Sequence, residues 1–277
     1  MSGLKLMGVF AHPDDESLGA GGLLAKYAAE GVETSLVCAT RGEAGRHFDA
    51  YGRVPPERLG RIRTEELRAA AETLGVRQTF VLGYRDGQLD QADPRLAVAG
   101  IAEHVRLVRP DVVLTFGPDG LYGHPDHVAI SRLTGAAVVA AADPGHRAAS
   151  GRGPWAVAKL YHLAWSQRTW DMYEAALKRL AMRVDGVERG AVAWPEWAIT
   201  TVVDTSAHAD TARRAVSRHE SQMAVYGAFN RLPAAEQARL WHRAELVRVM
   251  SSVNRGRAIE SDLFEGLRAP GGARRVA

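Results

Sequence analysis

LKLMGVFAHPDDESLGAGGLLAKY, residues 4–27, is the stretch that decides the fold of this chain. Its first seven residues are mostly apolar and predict a buried β-strand, and residues 17–30, rich in Ala and Leu, predict a helix. Between them, His12-Pro13-Asp14-Asp15-Glu16 places one imidazole and three carboxylates in a strand-to-helix turn. Packing gives no reason to crowd three like charges there. A divalent cation does, because it neutralises them and uses their oxygens as ligands.

A second strand-to-helix turn carries a related group of side chains. Residues 111–116 predict a strand, residues 128–142 predict a helix, and the loop between them contains His124-Pro125-Asp126-His127. Further strands are predicted at 33–39, 78–82 and 156–165, with helices at 57–74 and 93–108. This alternation predicts an α/β protein with a Rossmann-like, doubly wound, mostly parallel sheet flanked by helices. In the common strand order 3-2-1-4-5, the first and fourth strands are neighbours, so the two turns would meet at the expected ligand crevice.

The pattern changes after residue 166. We predict a Rossmann-like catalytic core at residues 1–166, a C-terminal part at 167–268 that completes the cleft, and a disordered tail at 269–277. The C-terminal part is expected to be a smaller α+β unit packed on the sheet. Its predicted elements are helices at 167–184, 207–223 and 234–249 and an edge strand within 194–204.

Composition excludes several classes of protein. The chain has 277 residues, 46% of them hydrophobic, with no apolar run long enough to cross a membrane and no visible secretory signal. The single cysteine, Cys38, excludes an intramolecular disulfide and fits a cytoplasmic location. The net charge of +3 comes from arginines spread among acidic residues, which argues against nucleic acid and favours a small-molecule partner. The oligomeric state stays open, and a homo-oligomer is compatible with the sequence.

The glycines at 19, 21 and 22 raise the alternative of a dinucleotide site. They lack the G-x-G-x-x-G spacing, and three carboxylates precede them where a pyrophosphate would have to bind. We therefore interpret them as residues that let the first helix pack closely on the sheet.

His12, Asp15 and His127 are the candidate metal ligands. His12 and Asp15 lie three residues apart in one turn, a spacing that can converge on one ion, and His127 completes two nitrogens and one oxygen. Three protein ligands leave a position for water, as in catalytic zinc sites. Zn²⁺ is the expected cation, and Fe²⁺ is compatible with the same donors. The alternative is a metal-free turn in which Asp14 or Asp15 caps the first helix.

The other polar residues of the two turns are candidates for proton transfer. Asp14 is available as general base for a metal-activated water. His124 is interpreted as a second proton-handling group or an oxyanion stabiliser, Asp126 as the residue that hydrogen-bonds its ring, and Tyr122 as a further oxyanion donor.

The paired motifs resemble those of the PIG-L / LmbE-like deacetylases, zinc-dependent enzymes that remove N-acetyl groups from N-acetylglucosamine conjugates. The resemblance covers residues 4–165 and extends to His219-Glu220-Ser221-Gln222, which is similar to a His-x-Ser-Gln element of the family. Residues 40–45 and Asp86-Gly87 also fit the family pattern. Tyr122-Gly123-His124 resembles the thiol-cofactor branch, which includes mycothiol- and bacillithiol-pathway deacetylases.

The resemblance implies the ligands and the base already named, and it implies three substrate-binding residues: Arg63, Glu43 and Asp86. For Arg63, a structural bridge to Glu66 is an open alternative. His219 is either functional or a buried histidine whose hydrogen bonds are satisfied within the fold.

The leading hypothesis is a hydrolase in which metal-activated water attacks an acetamide carbonyl. The alternatives are a non-catalytic metal- or sugar-binding module of the same fold and a hydrolase of a different amide. The presence of Asp14 favours an enzyme, because ligation alone does not require that residue. The aglycone of the substrate stays open.

Overall fold

A computed structural model of the chain describes residues 3–45, 47–49, 52–176, 181–184, 186–254, 256 and 258–268. Within these residues the strands are β1 (Lys5–Phe10), β2 (Glu33–Thr40), β3 (Phe48–Asp49), β4 (Gly52–Arg53), β5 (Gln78–Tyr84), β6 (Val112–Phe116), β7 (Lys159–Leu163), β8 (Ala181–Val184), β9 (Val187–Gly190), β10 (Thr201–Asp204) and β11 (Arg243–Ser251). The α-helices of the same residues are α1 (Asp15–Ala29), α2 (Pro56–Thr73), α3 (Pro94–Val108), α4 (Gly120–Gly123), α5 (Pro125–Ala142), α6 (Gln167–Ala176), α7 (Ala209–Val216), α8 (Gly227–Asn230) and α9 (Ala234–Ala238).

Seven of these strands form one sheet in the order β10-β11-β7-β6-β1-β2-β5. The five strands β5, β2, β1, β6 and β7 are parallel and follow the order 3-2-1-4-5 that the sequence predicts. β11 pairs antiparallel with β7, and β10 pairs antiparallel with β11. The predicted Rossmann-like α/β fold with a mostly parallel sheet is therefore confirmed.

Helices cover the central strands on both faces, which explains why those strands are apolar without alternation. α1 packs with α7, and α3 packs with α5. Right-handed crossovers place α1 and α5 on opposite faces, because the strand order reverses between β1 and β6. The side chains of Leu6, Val9 and Leu114 are completely buried in this core.

The glycines of α1 permit the close packing that we inferred for them. A Cβ atom at Gly19 would lie 2.8 Å from Leu163 Cδ1, on the sheet. A Cβ at Gly22 would lie 2.9 Å from Thr205 Oγ1, in the C-terminal part of the chain. A side chain at either position would therefore have to displace a neighbour, in the sheet at Gly19 and in the C-terminal part at Gly22.

The prediction of a helix at 234–249 is wrong. α9 ends at Ala238, and β11 occupies Arg243–Ser251. Leu246 is completely buried and lies opposite Leu163 of β7. The open edge of β7 supplies backbone hydrogen-bond partners, and this tertiary effect outweighs the helix propensity of the Arg, Glu and Leu residues in the segment.

Two other predicted helices are too long. The helix predicted at 167–184 ends at Ala176, and β8 begins at Ala181 and pairs with β9. The helix predicted at 207–223 covers only Ala209–Val216. The predicted edge strand is confirmed as β10. The tail predicted to be disordered, 269–277, lies outside the described residues. In the described part of the chain, no helix has the length and apolar character needed to span a bilayer.

A buried ionic network joins the final described segment to the sheet. The carboxylate of Glu260, 1% exposed, accepts hydrogen bonds from Lys159 Nζ at 2.7 Å and Tyr161 Oη at 2.6 Å. Thr201 Oγ1 donates at 2.9 Å, and Arg248 Nη1 lies 2.8 Å away. Burial opposes ionisation, but these donors outweigh it and lower the pKa of Glu260 to about 2.

We predict that Glu260→Gln lowers the free energy of unfolding at pH 7 by roughly 3 kcal/mol, because the substitution breaks a buried ion pair. The folded-state pKa lies below the ordinary value of 4.5, so the contribution of the carboxylate is complete above that pH and is lost as the pH falls toward 2. Urea unfolding of both proteins at pH 7, 5 and 3 measures the difference. A difference that stays constant down to pH 3 would contradict the prediction.

Candidate metal centre and catalytic pocket

The turn that leads from β1 into the first residues of α1, residues 12–16, has an unusual backbone. Asp14 adopts φ 106° and ψ −27°, a left-handed conformation that a residue with a Cβ rarely takes. Asp14 occupies the N-cap position, but its side chain makes no capping hydrogen bond. Instead, Asp15 Oδ2 accepts the His12 backbone N–H at 2.8 Å, and Glu16 Oε2 accepts the Asp14 N–H at 3.0 Å. The turn is thus stabilised by its own carboxylates, and the Asp14 side chain is left available for other contacts.

The three predicted metal ligands converge across the crevice between β1 and β6. His12 Nδ1 lies 3.4 Å from Asp15 Oδ2, and His127 Nε2 lies 3.3 Å from Asp15 Oδ1. The two ring nitrogens are 3.2 Å apart. Ligands bound tetrahedrally to zinc at 2.0–2.2 Å would lie roughly 3.3–3.6 Å from one another. The spacing and the donor set both fit a divalent cation.

Further contacts orient both imidazoles toward this point. His12 Nε2 lies 3.1 Å from Asp126 Oδ2 and 3.1 Å from Asp86 Oδ1, so a proton on Nε2 leaves the Nδ1 lone pair for the cation. His127 Nδ1 lies 3.3 Å from the Gly120 carbonyl oxygen, which leaves Nε2 free in the same way.

The charges of the pocket also favour a cation. Burial disfavours the imidazolium of His12, but hydrogen bonds to Asp126, Asp15 and Asp86 outweigh it and raise the pKa of His12 well above its ordinary value. The three carboxylates around the His12 ring produce a negative electrostatic potential that a divalent cation can neutralise.

The two adjacent aspartates have pKa values shifted in opposite directions. Burial raises the pKa of Asp14, although Arg63 opposes the shift. Burial acts on Asp15 as well, but His127 and His12 outweigh it and hold the pKa of Asp15 well below its ordinary value. Opposite shifts of neighbouring carboxylates are typical of an acid–base pair with separate roles. The two neighbouring carboxylates therefore differ in their electrostatic surroundings, Asp15 being held ionised and Asp14 being the more easily protonated.

His124 lies beside the three candidate ligands, here termed the triad (His12, Asp15 and His127), and its ring is neutral. Its centroid is 4.7 Å from that of His127, at an interplanar angle of 22°. Burial, with the neighbouring His12 and His127, lowers the pKa of His124 to about 3. His124 Nδ1 accepts the Asp126 backbone N–H at 3.1 Å, so the single proton of the neutral ring resides on Nε2. His124 therefore has the form of a hydrogen-bond donor.

The expected contact between the Asp126 carboxylate and the His124 ring is corrected by the structure. The carboxylate contacts His12, while its two oxygens also accept the backbone N–H groups of Gly87 at 2.7 Å and Leu89 at 3.0 Å. Asp126 is in the first turn of α5, where its side chain points back to the loop after β5, and only its backbone reaches His124.

Tyr122 lies in a strained segment at the wall of the pocket. Its ring centroid is 5.4 Å from that of His127 and 6.0 Å from that of His124. The preceding residue, Leu121, has φ 63° and ψ −64°, which is unfavourable for a residue with a branched side chain. Burial raises the pKa of Tyr122, so its phenol keeps its proton.

The three candidate substrate-binding residues differ in position. Arg63, 4% exposed, donates to the Gly42 carbonyl at 2.7 Å, to the Pro13 carbonyl, and to Asp14 Oδ2 at 3.0 Å. The alternative bridge to Glu66 is not formed.

Asp86 Oδ2 accepts the Ala44 N–H at 2.9 Å and, like Arg63, lines the cavity. Glu43 does not line it, and its Oε1 accepts the Asp86 N–H at 3.0 Å.

The cavity above the triad has a volume of about 600 Å³ and includes residues that the motifs did not indicate. Trp165 and Tyr173 line it and stack with ring centroids 4.0 Å apart, and Gln222 and Tyr226 line it as well. Gln222 belongs to the His-x-Ser-Gln element, whereas nothing in the sequence identified Tyr226.

The fold and the site together define an α/β enzyme with a candidate hydrolytic metal centre. A sequence profile described as "PIG-L: GlcNAc-PI de-N-acetylase" matches residues 7–138. The 1D-myo-inositol 2-acetamido-2-deoxy-alpha-D-glucopyranoside deacetylase of Kineococcus radiotolerans is 38% identical over 253 residues, covering 80% of this chain and 69% of the relative. The deacetylase of the same name from Streptomyces avermitilis is 35% identical over 291 residues, covering 95% of this chain and 97% of the relative.

The chain therefore belongs to the PIG-L family of de-N-acetylases, and the prediction of a hydrolytic enzyme is confirmed. Among solved structures, that of a conserved protein from Thermus thermophilus is similar, with a TM-score of 0.65 and 27% identity over 91% of this chain and 97% of the other.

We predict that Asp126→Asn weakens zinc binding about 10- to 100-fold, because the carboxylate that orients His12 is lost. Isothermal titration of metal-stripped protein with Zn²⁺ measures the affinity. Asp204→Asn, which changes an exposed carboxylate on β10, is the matched control and should bind like the wild type. Equal affinity in both variants would show that Asp126 does not orient a ligand.

Proposed function

We propose that the protein removes the N-acetyl group from an N-acetylglucosamine conjugate in a reaction that requires a divalent cation, with Zn²⁺ as the first candidate and Fe²⁺ as the second. The observation that carries this proposal is the convergence of His12, Asp15 and His127 beside Asp14, a carboxylate whose pKa is raised. The names of the similar deacetylases support an N-acetylglucosaminyl-inositol substrate.

His12, Asp15 and His127 would hold the cation. When bound there, a divalent cation supplies Lewis acidity, which lowers the pKa of water and polarises a carbonyl group. The polar residues Arg63, Asp86 and Gln222 among those that line the cavity support binding of the sugar hydroxyls. Residues 167–268 would complete the cleft, which is supported by the presence of Tyr173, Gln222 and Tyr226 among the cavity residues.

The residues of the chain provide the proton transfers. Asp14 accepts a proton from the attacking water as the water oxygen forms a bond to the carbonyl carbon. The Nε2–H of His124 and the phenol of Tyr122 donate hydrogen bonds to the oxyanion that develops. Asp14 then returns the proton to the amine nitrogen as the C–N bond breaks, which gives acetic acid and an amine; the acid then loses its proton to the amine, leaving acetate and a protonated amine. The raised pKa of Asp14 suits both directions of transfer.

The same features support the remaining functional expectations. We propose a small-molecule substrate and no role in nucleic-acid binding, since the arginines are spread along the chain among acidic residues. A cytoplasmic location is supported by Cys38, which is a free, buried thiol. Assembly as a homo-oligomer is compatible with the proposal but not required by it.

The decisive experiment measures acetate release from N-acetylglucosaminyl-inositol, N-acetylglucosamine and other glycosides by metal-stripped protein, before and after addition of Zn²⁺ or Fe²⁺. Activity should depend on the cation. His127→Ala should bind no stoichiometric cation and should be inactive.

We predict that Asp14→Asn retains zinc affinity within about threefold and loses activity by about 100- to 10,000-fold, because the amide cannot accept the proton. Asp210→Asn, on the exposed side of α7, is the control for loss of a carboxylate. Full activity of Asp14→Asn would remove Asp14 from the role of base. Stoichiometric zinc without hydrolysis of any substrate by the wild type would favour the binding-module alternative.

A further inference from the structure

Residues 219–226, here termed the C-terminal clamp, contact the β1–α1 turn although they are more than 200 positions away in sequence. They lie outside the segment matched by the family profile, residues 7–138. Tyr226 Oη donates to Asp14 Oδ2 at 2.8 Å, and His219 Nε2 lies 2.8 Å from Glu16 Oε1. The clamp therefore reaches two of the carboxylates in the turn directly.

The backbone of Asp14 explains why such contacts are needed. A left-handed conformation at a residue with a Cβ persists only where the surroundings hold it. Glu16 Oε2 accepts the Asp14 N–H at 3.0 Å, and the other oxygen of the same carboxylate contacts His219. His219 is completely buried, so it supports Glu16 from the protein interior.

Both hydrogen bonds to the Asp14 side chain reach the same carboxylate oxygen. Tyr226 Oη and Arg63 Nη2 both donate to Oδ2, at 2.8 and 3.0 Å. These are the hydrogen bonds that the described residues make to this carboxylate. Two donors on one oxygen fix the plane of the group and leave Oδ1 to accept a proton in the cavity.

The clamp is itself anchored to the helix that carries Arg63. Glu66, one turn further along α2, accepts the Ser221 backbone N–H at 2.6 Å and the Ser221 hydroxyl at 2.7 Å. α2 thus supplies one donor to Asp14 directly, through Arg63, and positions the second donor, Tyr226, through Ser221.

We propose that the C-terminal clamp positions the base of the reaction, with Tyr226 as the residue that orients the Asp14 carboxylate. Tyr226 is a positioning residue, because it acts on the reaction through Asp14. This inference rests on the proposed function in assigning Asp14 as the base, and it adds a residue from outside the family-matched segment to that assignment.

The test compares Tyr226→Phe with Tyr27→Phe in the full-length, zinc-loaded protein. Tyr27 is a matched control, because its buried side chain donates through its hydroxyl to the Asp262 carboxylate at 2.9 Å, at the far end of α1 from the turn. Acetate release gives kcat and KM, titration gives zinc affinity, and hydrogen–deuterium exchange of the peptide containing residues 12–16 reports on the turn.

We expect Tyr226→Phe to lower kcat about tenfold with KM and zinc affinity within about twofold, since misplacement of the base affects the reaction step and not binding. Exchange in the turn should be about tenfold faster than in the wild type. Tyr27→Phe should change neither kcat nor hydrogen–deuterium exchange in the turn, although its melting temperature should fall. Glu66→Gln weakens the hydrogen bonds that anchor Ser221 of the clamp to α2. It should shift kcat and exchange in the same direction as Tyr226→Phe.

Unchanged kcat or unchanged exchange in Tyr226→Phe would overturn the proposal that the clamp positions Asp14. If the wild type released no acetate, the proposed function would fail separately, and exchange alone would then decide whether Tyr226 holds the turn. Equal acceleration of exchange in Tyr27→Phe would also overturn the proposal, since it would show a general loss of stability.

Discussion

The burial of like charges at the crevice between β1 and β6 is the constraint on which the rest of the structure depends. Asp14, Asp15 and Glu16 follow one another in sequence, and each is at most 8% exposed. Asp86, from the loop after β5, and Asp126, from the first turn of α5, approach the same site. Carboxylates so close together are stable only if donors and cations compensate them. The buried Arg63, the ring of His219 and the N-terminus of α1 each contribute to that compensation.

The parts of the site that depend on strand order could be predicted from the sequence. Two polar turns follow the first and fourth strands, and the reversal of strand order brings them together. Because ligands of one ion must converge from rigid elements, His12, Asp15 and His127 could be proposed as ligands from the sequence alone. The fold brings their potential ligand atoms within 4.8 Å of one another.

The C-terminal part could not be predicted to the same extent, for two physical reasons. β11 forms because β7 offers an unpaired edge, a tertiary effect that has no signature in the local sequence of residues 243–251. Tyr226 has no motif of its own, since its role depends on one hydroxyl reaching Asp14 across the fold. The contact of Asp126 with His12 was missed for a related reason, because the side-chain direction is set by the backbone N–H groups of the loop after β5.

The position of β11 in the chain has a consequence for biosynthesis. During translation, β1 to β7 emerge from the ribosome before residues 219–251, so the nascent sheet has an unpaired β7 edge and a β1–α1 turn without its support from the clamp. Such an edge is a site for non-native pairing between chains. β11 can cover that edge only after its own synthesis, and the clamp precedes β11 in the chain. On the clamp proposal, protection of the edge and support of the β1–α1 turn therefore both depend on segments that are synthesised after β7.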